Sequence, residues 1–224
     1  MRGALFAPKL AARLRVVKSV LAFIAALVGV LAGPVRAGDP GASLAAAAIE
    51  RTQHRVVYDA AYEQIAYPMG DVALDRGVCS DVIVRSMRKL GLDLQALMHE
   101  DMRVAFSAYP TSWGLSSPDA NIDHRRVPNI ETFLTRSNME LPPSADPADY
   151  RPGDIIAWNL KGDRGGFLAH IGIVTAEVGP SGAPMVVHNI GAGPHKEDVL
   201  FSWPMTGRYR LQDAFVAANA SPEN

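Results

Sequence analysis

GVCSDVIVRSMRKL, residues 77–90, carries the one cysteine of the chain, Cys79, where a turn gives way to a helix pattern. The apolar residues Ile83, Met87 and Leu90 recur at the spacing of one helix face, which predicts a helix that begins at the cysteine. A thiol at a helix N-terminus lies at the positive end of the helix dipole, which favours the thiolate. The alternative is a small buried apolar residue, since free cysteine is among the most buried residue types.

The N-terminus has the pattern of a secretory signal peptide. A basic segment without acids is followed by an apolar run at residues 20–33, and Val35-Arg36-Ala37 matches the cleavage pattern of small residues. The run is short for a transmembrane helix, which needs about 20 residues, and an uncleaved anchor is the alternative. We therefore expect residues 1–37 to be removed on export to the periplasm or cell envelope. Residues 38–224 then form one domain.

The charge balance argues against two classes of partner. Six of the 22 Lys and Arg residues and none of the 23 Asp and Glu residues lie in the predicted signal peptide, so the rest of the chain carries 16 basic and 23 acidic residues, a net charge of −7. Such a chain has no electrostatic reason to bind nucleic acid or an anionic membrane. Membrane contact is expected only through the signal peptide, if it is not cleaved.

Helix patterns come first along the chain and strand patterns follow, which is typical of an α+β domain. A helix is predicted over 44–64, before the cysteine, and another over 93–104, after it. Residues 108–129 are rich in turn signals and are predicted to be irregular. Apolar segments with the strand period then occur at 155–158, 169–175, 185–189 and 206–211.

Two histidines on consecutive predicted strands can complete a nucleophilic site. Alternate residues of a strand share a face, so a hairpin that sets Gly172 opposite His188 directs His170 and His188 to the same side. The pattern does not fix this register, because the loop length can vary by a residue or two. An imidazole beside the thiol forms an ion pair, which lowers the cysteine pKa and supplies a proton donor for the leaving group. The second imidazole can fix the tautomer of the first.

Several motifs resemble those of known cysteine hydrolases. GVCS, PGDIIAW, HIGIV and VVH look like the successive motifs of the NlpC-type branch of the papain-like superfamily; they lie at 77–80, 152–158, 170–174 and 186–188. The chain as a whole resembles the bacterial "domain of unknown function 1287" family within that superfamily. That resemblance covers about 58–211 and is carried by YPMGDV, EDM, NIDHRRVPN and HNIG, at 67–72, 100–102, 121–129 and 188–191.

The resemblance implies a papain-like α+β fold and a Cys-His-His triad, with Cys79 as nucleophile, His170 as base and His188 as the residue that orients the base. It also implies that Tyr67, twelve residues before the cysteine, helps to shape the oxyanion site. Secreted members of the superfamily mostly cut amide bonds in peptidoglycan stem peptides, so a cell-wall peptide is the expected partner, with no cofactor or metal. Residues 99–140 are an insert relative to the compact enzymes.

Two other functions fit the same fold. One is acyl transfer or transpeptidation, in which an amine or alcohol takes the place of water. The other is a non-catalytic module that binds the cell wall. The sequence does not separate these from hydrolysis.

The most polar part of the irregular segment is Asp123-His124-Arg125-Arg126. Arginine forks suit carboxylates, which stem peptides carry, so these four residues are candidate substrate-binding residues. An internally salt-bridged loop is an equal alternative. Near the nucleophile, Asp81 and Arg85 are predicted to pair at the i, i+4 spacing of a helix.

Overall fold

The structure, a computed structural model, describes residues 38–221. Helices precede an antiparallel sheet, and Cys79 opens a helix that packs on this sheet, so the α+β fold expected from the papain-like resemblance is confirmed. The predicted signal peptide, residues 1–37, lies outside the described residues.

The α-helices of the described residues are α1 (Pro40–Arg51), α2 (Cys79–Arg88), α3 (Leu94–Ala105), α4 (Val127–Arg136) and α5 (Asp213–Asn219). The predicted helix over 44–64 was wrong at both ends. Its true N-cap is Asp39, whose carboxylate accepts the N–H of Gly41. It stops at Arg51, because the chain beyond it turns and is drawn into strand pairing at Val57–Tyr58.

The strands are β1 (Val57–Tyr58), β2 (Arg76–Gly77), β3 (Glu140–Leu141), β4 (Ile155–Asn159), β5 (Ala169–Val178), β6 (Pro184–Asn189), β7 (Pro194–Glu197) and β8 (Met205–Tyr209). The main sheet has the order β3-β8-β4-β5-β6-β7, and every neighbouring pair is antiparallel. Strands β1 and β2 form a separate parallel pair just before Cys79. Consecutive strands are mostly neighbours, so short loops hold the two histidine strands side by side.

The two faces of the central strands bury different apolar clusters. Ile171, Ile173 and Val187 face α2, whose Ile83 and Met87 are fully buried against them. On the opposite face, Trp158 packs in a second buried cluster with Tyr150, Ile156, Val174, Ala183, Val186 and Leu200. Both clusters exclude water from the strand segments that carry His170 and His188. Within residues 38–221, no helix has the length and apolar character needed to cross a membrane.

Candidate active site

The first turn of α2 is held by a buried carboxylate. The Asp81 carboxylate accepts the backbone N–H of Val78 at 2.6 Å, which satisfies one of the free donors at the helix start. The same carboxylate binds the guanidinium of Arg125 through two bonds of 2.9 Å, with both side chains buried. The Ser80 hydroxyl adds a 2.7 Å bond to the Arg125 carbonyl. The turn that presents Cys79 is therefore fastened to the irregular segment.

The predicted pairing of Asp81 with Arg85 was wrong. Arg85 instead binds Asp71 at 3.0 and 3.1 Å, and Arg88 binds the same carboxylate at 2.8 Å. A partner 44 residues away outcompetes the i, i+4 neighbour because the Arg125 fork matches both carboxylate oxygens of Asp81.

The Cys79 thiol is buried and uncharged. Its residue is 4% exposed, and burial raises the pKa of Cys79 to about 11. The backbone N–H groups of Ile171, Ser80 and Cys79 itself favour the thiolate, while the charge of Asp81 opposes it. The expectation of a lowered cysteine pKa was therefore wrong, since desolvation outweighs the helix terminus.

Tyr58 is the tyrosine next to the sulfur. The parallel pairing of Tyr58 with Gly77 brings its strand beside the residues that lead into Cys79. Burial of the Tyr58 hydroxyl and its interaction with the nearby Cys79 side chain raise the pKa of Tyr58 to about 12. The residue as a whole is 42% exposed. The Tyr58 hydroxyl therefore lies close to the thiol.

The assignment of Tyr67 to the oxyanion site was wrong. Its hydroxyl donates to Glu100 at 3.0 Å, and its ring meets His99 edge to face. Both partners belong to α3, which draws Tyr67 onto the exposed surface of that helix.

His170 and His188 lie together on one face of the sheet. Strands β5 and β6 pair Gly172 with His188, which is the register considered from the sequence. His170 Nε2 and His188 Nδ1 are 2.7 Å apart. Trp158 stacks on the His170 ring, and Trp203 meets both imidazoles edge to face. The indoles shield the bond between the two imidazoles from water.

Glu197 extends this pair to a third residue. His188 Nε2 lies 2.7 Å from Glu197 Oε2, and we call His170, His188 and Glu197 the imidazole chain. Burial, with a smaller contribution from His188, lowers the pKa of His170 to about 3. Burial also lowers the pKa of His188, although Glu197 opposes the shift. Both imidazoles are therefore neutral near pH 7.

The thiol and the imidazoles lie on opposite faces of the sheet, and the backbone of β5 lies between them. Cys79 belongs to the cluster on the α2 face, whereas the rings of His170 and His188 lie on the Trp158 face. The N–H directed at the sulfur is that of Ile171, the residue after His170. Among residues 38–221, no hydrogen bond joins the sulfur to either ring, so the preformed ion pair expected from the sequence is absent from this conformation.

A cavity of about 350 Å³ begins beside Val78, the neighbour of Cys79. Its walls include Tyr62, Trp113 and Arg126. The Arg126 guanidinium lies 4.3 Å above the Trp113 ring and gives one nitrogen to Asp123 at 2.8 Å. The cavity thus offers aromatic walls and two arginines, Arg125 and Arg126, close to the nucleophile.

The four polar residues predicted to bind substrate have different positions. Asp123, His124 and Arg125 are buried. The Arg125 guanidinium donates hydrogen bonds to the Asp81 carboxylate and to two backbone carbonyls. Burial lowers the pKa of His124 to about 4. Arg125 and Arg126 both line the cavity, but Arg126 is the less buried of the two, and the described residues engage only one of its nitrogens. Salt bridges thus involve three of the four, because Arg125 pairs with Asp81 and Arg126 pairs with Asp123.

Sequence reasoning missed Tyr58 and Glu197. The signal for Tyr58 was weak, because its strand has two residues and pairs with another of equal length. Glu197 follows from strand β7, whose four residues, PHKE, have no apolar alternation. Once β7 is paired with β6, Glu197 comes opposite Val186 and within reach of His188.

The chain is similar to one curated relative and to two solved structures. An Escherichia coli (strain K12) relative, "Uncharacterized protein YijF", is 54% identical over 153 residues, which are 68% of this chain and 73% of the relative. NlpC1 and NlpC2 from Trichomonas vaginalis are similar solved structures, at 14% and 15% identity and TM-scores of 0.44 and 0.43. These matches cover 79% and 77% of this chain but 45% and 47% of theirs, so the chain spans less than half of either structure.

The family comparison covers the domain that holds the site. Residues 45–211 match the family model described as "Domain of unknown function (DUF1287)". That range includes Cys79, the imidazole chain and the cavity beside Val78. The chain belongs to the domain of unknown function 1287 family.

Proposed function

We propose that this protein is a cysteine hydrolase that cleaves an amide bond through Cys79 and the imidazole chain. The observation that carries the proposal is the pair of bonds of 2.7 Å that links His170 to His188 and His188 to Glu197, on a strand whose Ile171 backbone contacts the sulfur of a cysteine at a helix N-terminus. A nucleophile, a base and a group that orients the base are the parts that acyl transfer needs.

The reaction starts from a neutral thiol and a neutral imidazole. The Cys79 sulfur attacks the carbonyl carbon while its proton passes to His170, so charge separates only as the new C–S bond forms. The backbone N–H of Cys79 and the hydroxyl of Tyr58 lie near the sulfur, and we propose them as the donors to the oxyanion. His170 then gives the proton to the leaving nitrogen as the C–N bond breaks, which leaves a thioester.

Hydrolysis of the thioester returns the enzyme to its resting state. Water attacks the thioester carbonyl while His170 takes one of its protons. The C–S bond then breaks, the acid is released, and the proton on His170 returns to the sulfur. Proton transfer requires the sulfur and the His170 ring to come within hydrogen-bond distance, a contact that the described residues do not make in this conformation.

The substrate proposed is a peptide amide of the cell wall. The cavity beside Val78 has aromatic walls for apolar parts of a peptide, and Arg126 has donors for a carbonyl or carboxylate. The signal-peptide pattern of residues 1–37 supports export to the periplasm or envelope, where such peptides occur.

Digestion of purified peptidoglycan by the mature chain tests the proposal. Mass spectrometry of the products is expected to show cleaved stem peptides with wild type and none with Cys79→Ala. His170→Ala is expected to abolish cleavage and His188→Ala to reduce it. Undiminished cleavage by Cys79→Ala would refute the nucleophile, and binding of peptidoglycan without cleavage by wild type would favour a wall-binding module. Products that carry an added amine would instead indicate acyl transfer.

A further inference from the structure

The imidazole chain ends on a residue that differs from the rest in exposure. The His188 side chain is fully buried, whereas that of Glu197 is 48% exposed and reaches solvent. Glu197 lies on β7, so its carboxylate approaches His188 from the neighbouring strand. The contact of 2.7 Å is that of a short charge-assisted hydrogen bond.

This contact determines where each proton of the chain lies. An ionised carboxylate only accepts hydrogen bonds, so the proton between Glu197 and His188 belongs to His188 Nε2. A neutral imidazole has one N–H, so His188 Nδ1 is an acceptor. The partner of that acceptor, His170 Nε2, must therefore carry the only ring proton of His170.

We propose that Glu197 is a positioning residue that fixes both histidines in one tautomeric order and leaves His170 Nδ1 as the basic atom for the Cys79 proton. The opposite order would set a lone pair of His188 Nε2 against the carboxylate at 2.7 Å, which is repulsive. The structure holds no described hydrogen bond to His170 Nδ1, so this atom is unengaged among residues 38–221. The role in catalysis rests on the proposed hydrolase function, whereas the tautomeric order does not.

The imidazole ¹⁵N and ¹H NMR signals of the full-length mature chain test the order without any substrate. In wild type at pH 7, both Nε2 atoms are expected to give protonated-nitrogen signals and both Nδ1 atoms unprotonated ones. Glu197→Gln retains an acceptor oxygen and is expected to keep this pattern. Glu197→Ala removes the acceptor and is expected to produce mixed tautomers at His188. A protonated Nδ1 on either histidine in wild type, or an unchanged pattern in Glu197→Ala, would overturn the proposal.

Peptidoglycan cleavage by the same variants tests the role in catalysis. We expect Glu197→Ala to lower kcat by about 10-fold to 100-fold with little change in KM, the range found when groups that orient metal-bound histidines are lost. Glu197→Gln is expected to lie between it and wild type. The matched control is Glu177→Gln, an exposed glutamate of β5 that pairs with Lys196.

The outcomes of the two experiments are separable. Full activity in Glu197→Ala, with mixed tautomers, would refute the catalytic role and keep the tautomeric order. Absence of cleavage by wild type would refute the hydrolase proposal, and the NMR pattern would still decide the order. Equal loss of activity in Glu177→Gln would show that strand stability, and not His188, explains the effect.

Discussion

Replacing Arg125 by methionine isolates the buried ion pair that fastens the nucleophile turn. The side chains of Arg125 and Asp81 are 3% and 4% exposed and share two bonds of 2.9 Å. Burial alone lowers the pKa of Arg125, but the bonds to Asp81 more than reverse this and raise it. Methionine keeps much of the volume and leaves the Asp81 carboxylate with only the Val78 N–H.

The cost follows from the unpaired charge. Removing one partner of a buried pair costs about 3–5 kcal/mol. In a domain of this size each kcal/mol lowers the Tm by about 2–4 °C, so Arg125→Met is expected to melt roughly 6–20 °C below wild type. The double variant Arg125→Met, Asp81→Asn is expected to recover part of the loss, because asparagine still accepts the Val78 N–H and carries no charge.

Thermal and urea unfolding of the two variants and a control measure this effect. The control is Arg103→Met, which breaks a pair with Glu100 whose side chains are 62% and 56% exposed; a loss below about 1 kcal/mol is expected there. The reasoning fails if Arg125→Met unfolds within 1 kcal/mol of wild type, or if the double variant is less stable than the single one.

Three further predictions concern Cys79 and strand β5, whose Ile171 contacts the sulfur. Because burial raises the pKa of Cys79 to about 11 from its ordinary 9.0, alkylation by iodoacetamide at pH 7 is expected to be about 100-fold slower than that of an ordinary thiol. Tyr58→Ala should accelerate the alkylation, and Tyr58→Phe should not. Rapid labelling of wild type would show that the thiol is not buried. The folded thiol holds its proton more tightly than the unfolded one, so the stabilisation is complete below pH 9 and is lost as pH rises toward 11; urea midpoints of wild type should therefore fall more steeply in that window than those of Cys79→Ala, and parallel curves would count against the shift. Gly172→Ala would place a Cβ 2.8 Å from Val186 Cγ1 and 2.9 Å from the Val187 carbonyl, which should cost about 1–3 kcal/mol by urea denaturation; a neutral effect would show that the β5–β6 pair can open.

Much of the framework was predictable because it depends on local periodicity. The helix after Cys79 follows from apolar residues at helix spacing, and the structure begins that helix at the cysteine itself. One register that the period of two in strands allows sets His170 and His188 on the same face, and the structure has that register. Glycine at 172 fits the register because a Cβ there would collide with the facing strand.

The parts that were not predictable depend on contacts between distant segments. Tyr58, and not Tyr67, lies beside the thiol because strands β1 and β2 pair in parallel. Each of these strands has two residues, too few to show the alternation of apolar and polar residues that predicts a strand. Asp81 chooses Arg125 over Arg85 because a bidentate fork from another loop reaches it.

Chain order alone therefore determined which residue is the nucleophile candidate, where its helix starts and which two histidines are its candidate partners, whereas the register that sets both histidines on one face came from the structure. Tertiary structure decided that the thiol is neutral, that Tyr58 lies close to it and that Glu197 completes the imidazole chain. The physical reason is that periodicity acts over a few bonds, whereas desolvation and hydrogen-bond partners depend on everything packed around a group. The dipole at a helix start is local and favours a thiolate, but burial from several elements at once reverses it at Cys79.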